Sequence, residues 1–304
     1  MNANLIFLDC TLRDGGYYND WDYDPKLVQD YLQAMDVLQI DFVEIGFRSL
    51  KNHGFKGGCA YSTDAFINSL EIPSGLMDKI GVMINGSEIA DPDTQMARLE
   101  VLFNPKSQSP VTLVRIACHV HEFIACLPVS TWLKEQGYLV GFNLMQVANC
   151  TPENITQLAQ EASEYHIDAL YFADSMGSLN PQQVADITHA FQQGWQGALG
   201  IHAHDNMGQA IANSQQAVKS GVTWVDCTVT GMGRGPGNAQ TEYLILALAD
   251  SRQQQGNPTK LFELIRKHFK LLKSHYNWGT NPFYYLTGRY GIHPSYVQEM
   301  LQDS

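Results

Sequence analysis

The sequence predicts a single (β/α)8 TIM barrel with a short helical C-terminal extension. Three observations lead there. Eight short apolar, β-branched runs alternate with longer amphipathic segments, the pattern of a parallel sheet built from βα units. Eight such runs in 304 residues suit closure into a barrel better than an open doubly wound sheet. No G-x-G-x-x-G follows the first run, so the main signature of a dinucleotide-binding sheet is missing.

Residues 5–12 (LIFLDCTL) read as the first strand and 25–38 as a helix. Residues 42–48 (FVEIGFR) form the second strand, followed by a glycine-rich stretch and a short helix near 63–70. Residues 79–85, 113–119 and 139–148 supply strands three to five, with a helix over 123–136 between the last two. Thr151-Pro152-Glu153 is a helix N-cap, a proline at the first helical position and an early acid, and it opens a helix to Tyr165. Ala169–Asp174 is strand six, and Asn180-Pro181 repeats the cap-then-proline signal before a helix to Gln193. Residues 198–204 are strand seven, 208–220 a helix, 224–230 strand eight, and 239–252 a last long helix. Residues 1–255 thus make the barrel. Residues 256–304 are aromatic-rich and helix-prone over 260–276, but too few for a core of their own. They are expected to pack on the barrel or on a partner subunit.

Composition narrows the function. A chain that is 44% hydrophobic and 16% charged is ordinary for a globular protein. Its net charge of −12 argues against a broad nucleic-acid or anionic-membrane surface, while leaving room for a local basic pocket. The six cysteines include no CxxC pair and read as reduced, packed thiols. The first residues lack a basic region followed by an apolar run, and no stretch reaches 18 apolar residues. A cytoplasmic protein with neither membrane nor nucleic acid as partner is expected.

The chemistry of such barrels lies at the carboxyl ends of the strands. His202 and His204 are two apart on one strand, so both side chains face the same way and can grip one cation. In a closed barrel strand eight lies between strands seven and one. Asp14 can therefore approach that ion from the far side, with the loop carrying Asn238 between them. Two imidazoles, a carboxylate and an amide carbonyl form a mixed N/O set that favours Mn²⁺ or Mg²⁺, with Zn²⁺ or Co²⁺ also accommodated. His119 and His121, after strand four, are a weaker pair, one of which is expected to line the pocket. The glycine-rich loop 231–238 either cradles a phosphate or gives the tight backbone path that delivers Asn238. Arg13, beside Asp14, is a fixed cation placed to stabilise a developing enolate oxygen.

Six segments then carry a resemblance: DCTLRDGG (9–16), VEIGFR (43–48), RIACH (115–119), ADSMG (173–177), HAHDNMGQAIANS (202–214) and GMGRGPGNAQTE (231–242). With them in this order, the chain resembles the DRE-TIM metallolyase superfamily, and most of all its 4-hydroxy-2-oxovalerate aldolase branch. The resemblance implies a divalent metal on Asp14, His202 and His204, with Asn238 as a further ligand, and Arg13 as the enolate-stabilising group. It implies an aldolase, a carbon–carbon lyase that cleaves or forms a 4-hydroxy-2-oxo acid through a metal-chelated pyruvate-type enolate. Its partners would be a small 2-oxo acid and an aldehyde, in a homo-oligomer, with Glu44, Arg48, Asp174 and Ser175 of the matching motifs binding substrate. One departure stands out. The aldolase branch has a histidine base three residues after the motif aspartate, where this chain has Tyr17. A tyrosine near its ordinary pKa of about 10 is a poor base, so a metal-bound hydroxide or His119 is a candidate beside Tyr17. A Claisen-type enzyme condensing an acyl-CoA, and a non-catalytic metal-binding barrel, stand as alternatives.

Overall fold

The computed structural model describes residues 5–51, 54–252 and 256–302. Eight parallel strands form a closed barrel in sequence order, with β1 paired to β8. They are β1 (Ile6–Asp9), β2 (Phe42–Phe47), β3 (Ile80–Asn85), β4 (Leu113–His119), β5 (Leu139–Met145), β6 (Ala169–Asp174), β7 (Ala198–Ala203) and β8 (Trp224–Cys227). The expected (β/α)8 barrel with C-terminal helices is what the chain forms.

Because strand side chains alternate with period two, every second residue enters the lumen and the interior builds up in layers. The lowest is apolar: Leu8, Leu113, Ala169, Tyr171 and Trp224 cluster with Ile6, Phe42, Leu139 and Ala198. Two residues further along these strands stand Glu44, Arg115 and Asp226, all buried. Glycines make room for this layer. A Cβ on Gly141 would sit 3.1 Å from Arg115 Cγ, and one on Gly200 only 2.4 Å from the Tyr171 ring. Two residues further again, Ala117, Asn143, Ala173 and His202 bring the chain to the mouth.

Three strands stop earlier than their apolar letters suggest. The backbone N–H and hydroxyl of Thr11 both donate to Asp9 Oδ1, at 2.9 and 2.5 Å, and the chain turns at once into a helical turn, Thr11–Asp14. β5 ends where Gln146 takes the left-handed conformation (φ 61°), and beyond β8 Thr230 does the same (φ 54°). The helix expected over 123–136 is two, Val120–Cys126 and Pro128–Glu135, because Pro128 has no N–H to continue the first and starts a second. A helix at Gln95–Leu102, which the pattern did not reveal, links β3 to β4. The last barrel helix is Thr241–Ala247, followed by a 3-10 turn, rather than one long helix.

Beyond the barrel a helix runs from Thr259 to Tyr276 through a π-turn at Ile265–Phe269, and two more follow at Pro282–Tyr290 and Ser295–Gln302. Phe269 and Trp278 are buried in the main core. Trp278 Nε1 donates to Thr230 O (3.0 Å), Thr280 Oγ1 to Asn206 O (2.7 Å), and Asn206 Nδ2 to Thr287 Oγ1 (2.8 Å). These anchors lie on the loops after β7 and β8, so the extension is fastened to the C-terminal mouth. No helix among the described residues is long and apolar enough to cross a membrane.

Candidate active site

The site begins with the turn after β1. Trp21 Nε1 donates to Arg13 O at 2.7 Å and fixes that turn, which presents Arg13 and Asp14 side by side. Arg13 Nη1 pairs with Asp14 Oδ1 (2.9 Å), and Arg13 Nε with Glu44 Oε2 (2.7 Å). Glu44 also accepts from Arg115 Nε (2.7 Å), and Arg115 Nη1 reaches Asp226 Oδ2 (2.7 Å). Asp226 Oδ2 in turn holds His202 Nδ1 (2.7 Å), and His202 Nε2 returns to Asp14 Oδ2 (3.3 Å). Six side chains from four strands and the turn after β1 thus form a closed ring of alternating charge, nearly all of it out of water.

The ring sets the protonation states. Burial alone would raise the Asp14 carboxyl, but Arg13, His202 and His204 outweigh it and hold it far below the usual carboxylate range. Burial would likewise raise Asp226, and Arg115 and His202 pull it down. Burial favours neutral His202, yet its hydrogen bonds to Asp14 and Asp226 win and raise it. His204 lacks such support: burial, then the neighbouring His202, push it well below the ordinary histidine value.

The donor set fits a divalent cation. His204 Nδ1 and Asn238 Oδ1 are buried without a hydrogen-bond partner, Asp14 Oδ2 has only the 3.3 Å ion-pair contact with His202 Nε2, and buried polar atoms in that condition need a reason. His204 and Asn238 face each other in an isolated antiparallel bridge, and the Asn238 amide lies 3.1 Å from His202 Nε2. Gly237, at φ 84°, has no room for a side chain: a Cβ would meet Gly231 O at 1.7 Å, so the glycine-rich loop can follow this path only as glycine. Cys10 also lies close enough to Asp14 and His202 to complete a three-residue metal group. Its thiol is pushed up by burial and donates to Cys227 O (3.5 Å).

A cavity of about 50 Å³ opens beside these groups, walled by Arg13, Asp14, Tyr17, Ser175, His202 and His204. Tyr17 keeps 38% of its surface accessible, but the crowding of the site raises its hydroxyl above the ordinary tyrosine value, first through burial, which leaves it a proton donor. Ser175 Oγ accepts from Gln146 N (3.0 Å). Glu44 lies beneath the cavity, where it holds Arg13. Asp174 is also below the wall: its carboxylate accepts from the N–H groups of Ser178 and Leu179, and burial lifts it to about 6. His119 caps the helix Val120–Cys126, donates its backbone N–H to Glu122 Oε2 (2.9 Å) and stacks on His121, one layer outside the lining Ala117.

Arg48 does not join them. The pairing of β2 with β3 shifts between Glu44 and Gly46, and that irregularity exchanges the two faces of the strand. Phe47 therefore turns into the mouth, while Arg48 turns outward to Ser62 O, Leu102 O, Asp64 and the Phe103 ring. Its expected contact with substrate gives way to a structural ion pair.

Sequence reasoning missed Arg115, Asp226, Asn143 and Arg234. The first two are lone charges in apolar strands (LVRIAC, WVDC), a readable signal, and Asn143 is the lone polar residue of LVGFNLM. Asn143, Asn85 and Arg234 line the cavity.

The chain is similar in sequence and fold to known proteins. The HMGL-like family model matches residues 95–267. The 4-hydroxy-2-oxovalerate aldolase 4 of Rhodococcus opacus (strain B4) is 30% identical over 261 residues, 86% of this chain and 72% of the relative. That of Pelotomaculum thermopropionicum is 31% identical over 254 residues, 83% and 72% of the two chains. The crystal structure of the N-terminal domain of a Bacteroides vulgatus protein assigned as an aldolase superposes with a TM-score of 0.84 at 30% identity, covering 99% of this chain and 97% of that domain. A barrel with this mouth and these relatives is an enzyme of the aldolase and lyase class. The chain belongs to the HMGL-like family, as its motifs had implied.

Proposed function

We propose that the protein is a divalent-metal-dependent aldolase that cleaves or forms a 4-hydroxy-2-oxo acid through a pyruvate-type enolate. One observation carries the reading. At one end of the barrel, His204 Nδ1, Asn238 Oδ1 and Arg13 Nη2 are buried without a hydrogen-bond partner and Asp14 Oδ2 meets only His202 Nε2 at 3.3 Å, three acceptors for a cation and one spare donor for an anion. Asp14, His202, His204 and Asn238 would hold Mn²⁺ or Mg²⁺. A cation bound there supplies Lewis acidity toward the oxygens of a 2-oxo acid. Arg13, held by Glu44 and Asp14, keeps Nη2 for the oxygen on which enolate charge develops.

In cleavage the alcohol proton leaves to a base and the C–C bond breaks. An aldehyde departs, and the enolate carbon takes up a proton. Condensation reverses each step. We assign the proton transfers to Tyr17 at the wall, which is protonated and donates to the aldehyde oxygen during condensation, and to His119 just outside it.

The test is exchange of the pyruvate methyl protons for deuterium in metal-loaded enzyme, followed by NMR, which reports enolisation without any aldehyde. Exchange is expected. In Arg13→Ala it should fall by on the order of 10²–10³, because one charge-stabilising donor is lost. Arg13→Lys should rescue poorly, since a point charge cannot serve three directions at once. Absence of exchange with every 2-oxo acid tried would sink the proposal. The homo-oligomer reading is supported by Phe283, Leu286 and Tyr290, which share one exposed face of the helix Pro282–Tyr290. Sedimentation of the full chain as a monomer at micromolar concentration would overturn it.

A further inference from the structure

A second, larger cavity opens beside the first, and its volume of about 210 Å³ is roughly four times the inner 50 Å³. Tyr17, Phe47 and Asn85 line both, so the two chambers share one wall. The outer chamber therefore adjoins the Arg13 chamber across the side chains of Tyr17, Phe47 and Asn85, so a substrate spanning both would pass at these three residues. The inner chamber is already committed to the 2-oxo acid, whose oxygens need Arg13 and the cation ligands. Nothing so far described occupies the outer one.

Its chemistry is specific. The rings of Tyr17, Trp21 and Phe47 meet edge to face, with centroids 4.8, 5.8 and 6.4 Å apart, and Tyr61 and Ala60 continue the apolar wall. This wall is built in advance. Asp20 and Trp21 both sit in the left-handed region (φ 54° and 59°), which side-chain-bearing residues avoid. They are kept there by the bonds from Trp21 Nε1 to Arg13 O and from Trp21 N to Gly16 O (3.1 Å). The same bond that sets the catalytic arginine thus sets the wall of the outer chamber.

At the rim stand two cations. Lys56 lies over the Trp21 ring (4.8 Å) and pairs with the exposed Asp20 (2.9 Å), and Lys51 is exposed beside it. The acid on the opposite side, Glu88, is already engaged with Ser49 Oγ and Leu50 N. The lining thus carries two lysines against one carboxylate, a surplus of one positive charge at this rim in a chain whose net charge is −12.

We propose that the outer chamber is the aldehyde subsite, and that the aldehyde has an aromatic or comparably broad apolar body of benzaldehyde size or more, ending in an anionic group. This rests on the aldolase reading and names the half of the substrate that reading leaves open. The aromatic wall takes the body, the lysines take the far charge, and the aldehyde carbon is left at the Tyr17 edge. There the enolate carbon adds to it, the carbonyl π bond breaks, and the oxygen takes a proton.

Condensation with pyruvate tests this, using acetaldehyde, 4-methylbenzaldehyde and 4-formylbenzoate as acceptors, with the methyl-proton exchange of pyruvate measured on the same preparation. We expect kcat/KM for 4-methylbenzaldehyde to exceed that for acetaldehyde by about tenfold or more, the discrimination a hydrophobic pocket supplies. 4-Formylbenzoate should gain a further factor of about three to five, the scale of an exposed ion pair. In Lys51→Ala/Lys56→Ala the ratio between the two aromatic aldehydes should collapse to about one. That comparison is internal to one protein, so partial misfolding cancels from it. Normal methyl-proton exchange of pyruvate, together with condensation of acetaldehyde as efficient as that of the aromatic acceptors, overturns the subsite alone. An anionic preference that survives the double variant overturns the role of the lysines, and with it the anionic aldehyde. Absence of exchange overturns subsite and aldolase together.

Discussion

At the scale of single residues, His202 does two things at once. Its Nδ1 is held by Asp226 and its Nε2 faces the metal-ligand candidates, so Asp226 fixes both the tautomer and the aim of the ring. His202→Ala and His204→Ala should each lose the bound cation. Asp226→Asn should keep a cation but bind it roughly 10–100-fold more weakly. Elemental analysis after dialysis against graded chelator reads both effects, and unchanged metal in the two histidine variants would remove them from the ligand set. The histidine pair and Asp14 were legible in the sequence because their spacing and their position after strands are local facts. Asp226 was not, because its partners Arg115 and His202 lie 111 and 24 residues away and only the register of a closed sheet brings them together. Arg48 was misplaced for the opposite reason. Strict alternation from Glu44 points it inward, and a one-residue irregularity that leaves no mark in the letters turns it out.

At the scale of elements, the last helices are set against the mouth. Pro294 abuts Gly235 of the glycine-rich loop, Gln298 Oε1 accepts from Gly235 N (3.1 Å), and Gln298 Nε2 donates to Tyr17 O (3.4 Å). His293 precedes this contact, and burial, then Arg234 and His119, lower its imidazole below 6.5. A histidine lowered on docking is neutral in the docked state, so the released segment takes up a proton first. Docking is therefore strongest above pH 6.5 and weakens as pH falls from there towards the lowered value. Hydrogen exchange of the backbone amides around Gln298, corrected for intrinsic rates, should quicken between pH 7.5 and 5.5, and His293→Gln should flatten that dependence. Equal pH dependence in the two proteins would detach His293 from the docking. The density of aromatic residues announced that this segment packs, but not against what. The helix Pro282–Tyr290 could have been read from Asn281-Pro282, the same cap-then-proline signal that located the helices after Thr151 and Asn180.

At the scale of the whole molecule, the barrel is filled in an unusual order, apolar below, ionic in the middle and catalytic above. Arg115 is the pivot of the middle layer: it is fully buried and joins Glu44 to Asp226. Arg115→Met leaves both carboxylates short of their partner in a dry interior and should cost about 3–5 kcal/mol, seen as a clear fall in the midpoint of urea unfolding. A midpoint within error of the parent would mean that the lumen admits water. The barrel itself was readable from eight alternating units, but its ionic middle layer was not, since the pairs that make it exist only once the sheet closes.

That ring also bears on how such a barrel can be divided. A cut between β4 and β5 separates two halves of four strands each, a natural seam for a fold of repeated units. Arg13, Asp14, Glu44 and Arg115 stay together and balance one another, but Asp226 is stranded with His202, and the bonds Arg115–Asp226 and Asp14–His202 are both severed. Neither fragment is then a self-sufficient half-barrel. A circularly permuted chain opened at the same seam keeps every one of those pairs, because it moves the chain ends without parting the strands. The molecule should thus tolerate a change of starting point far better than a division into modules.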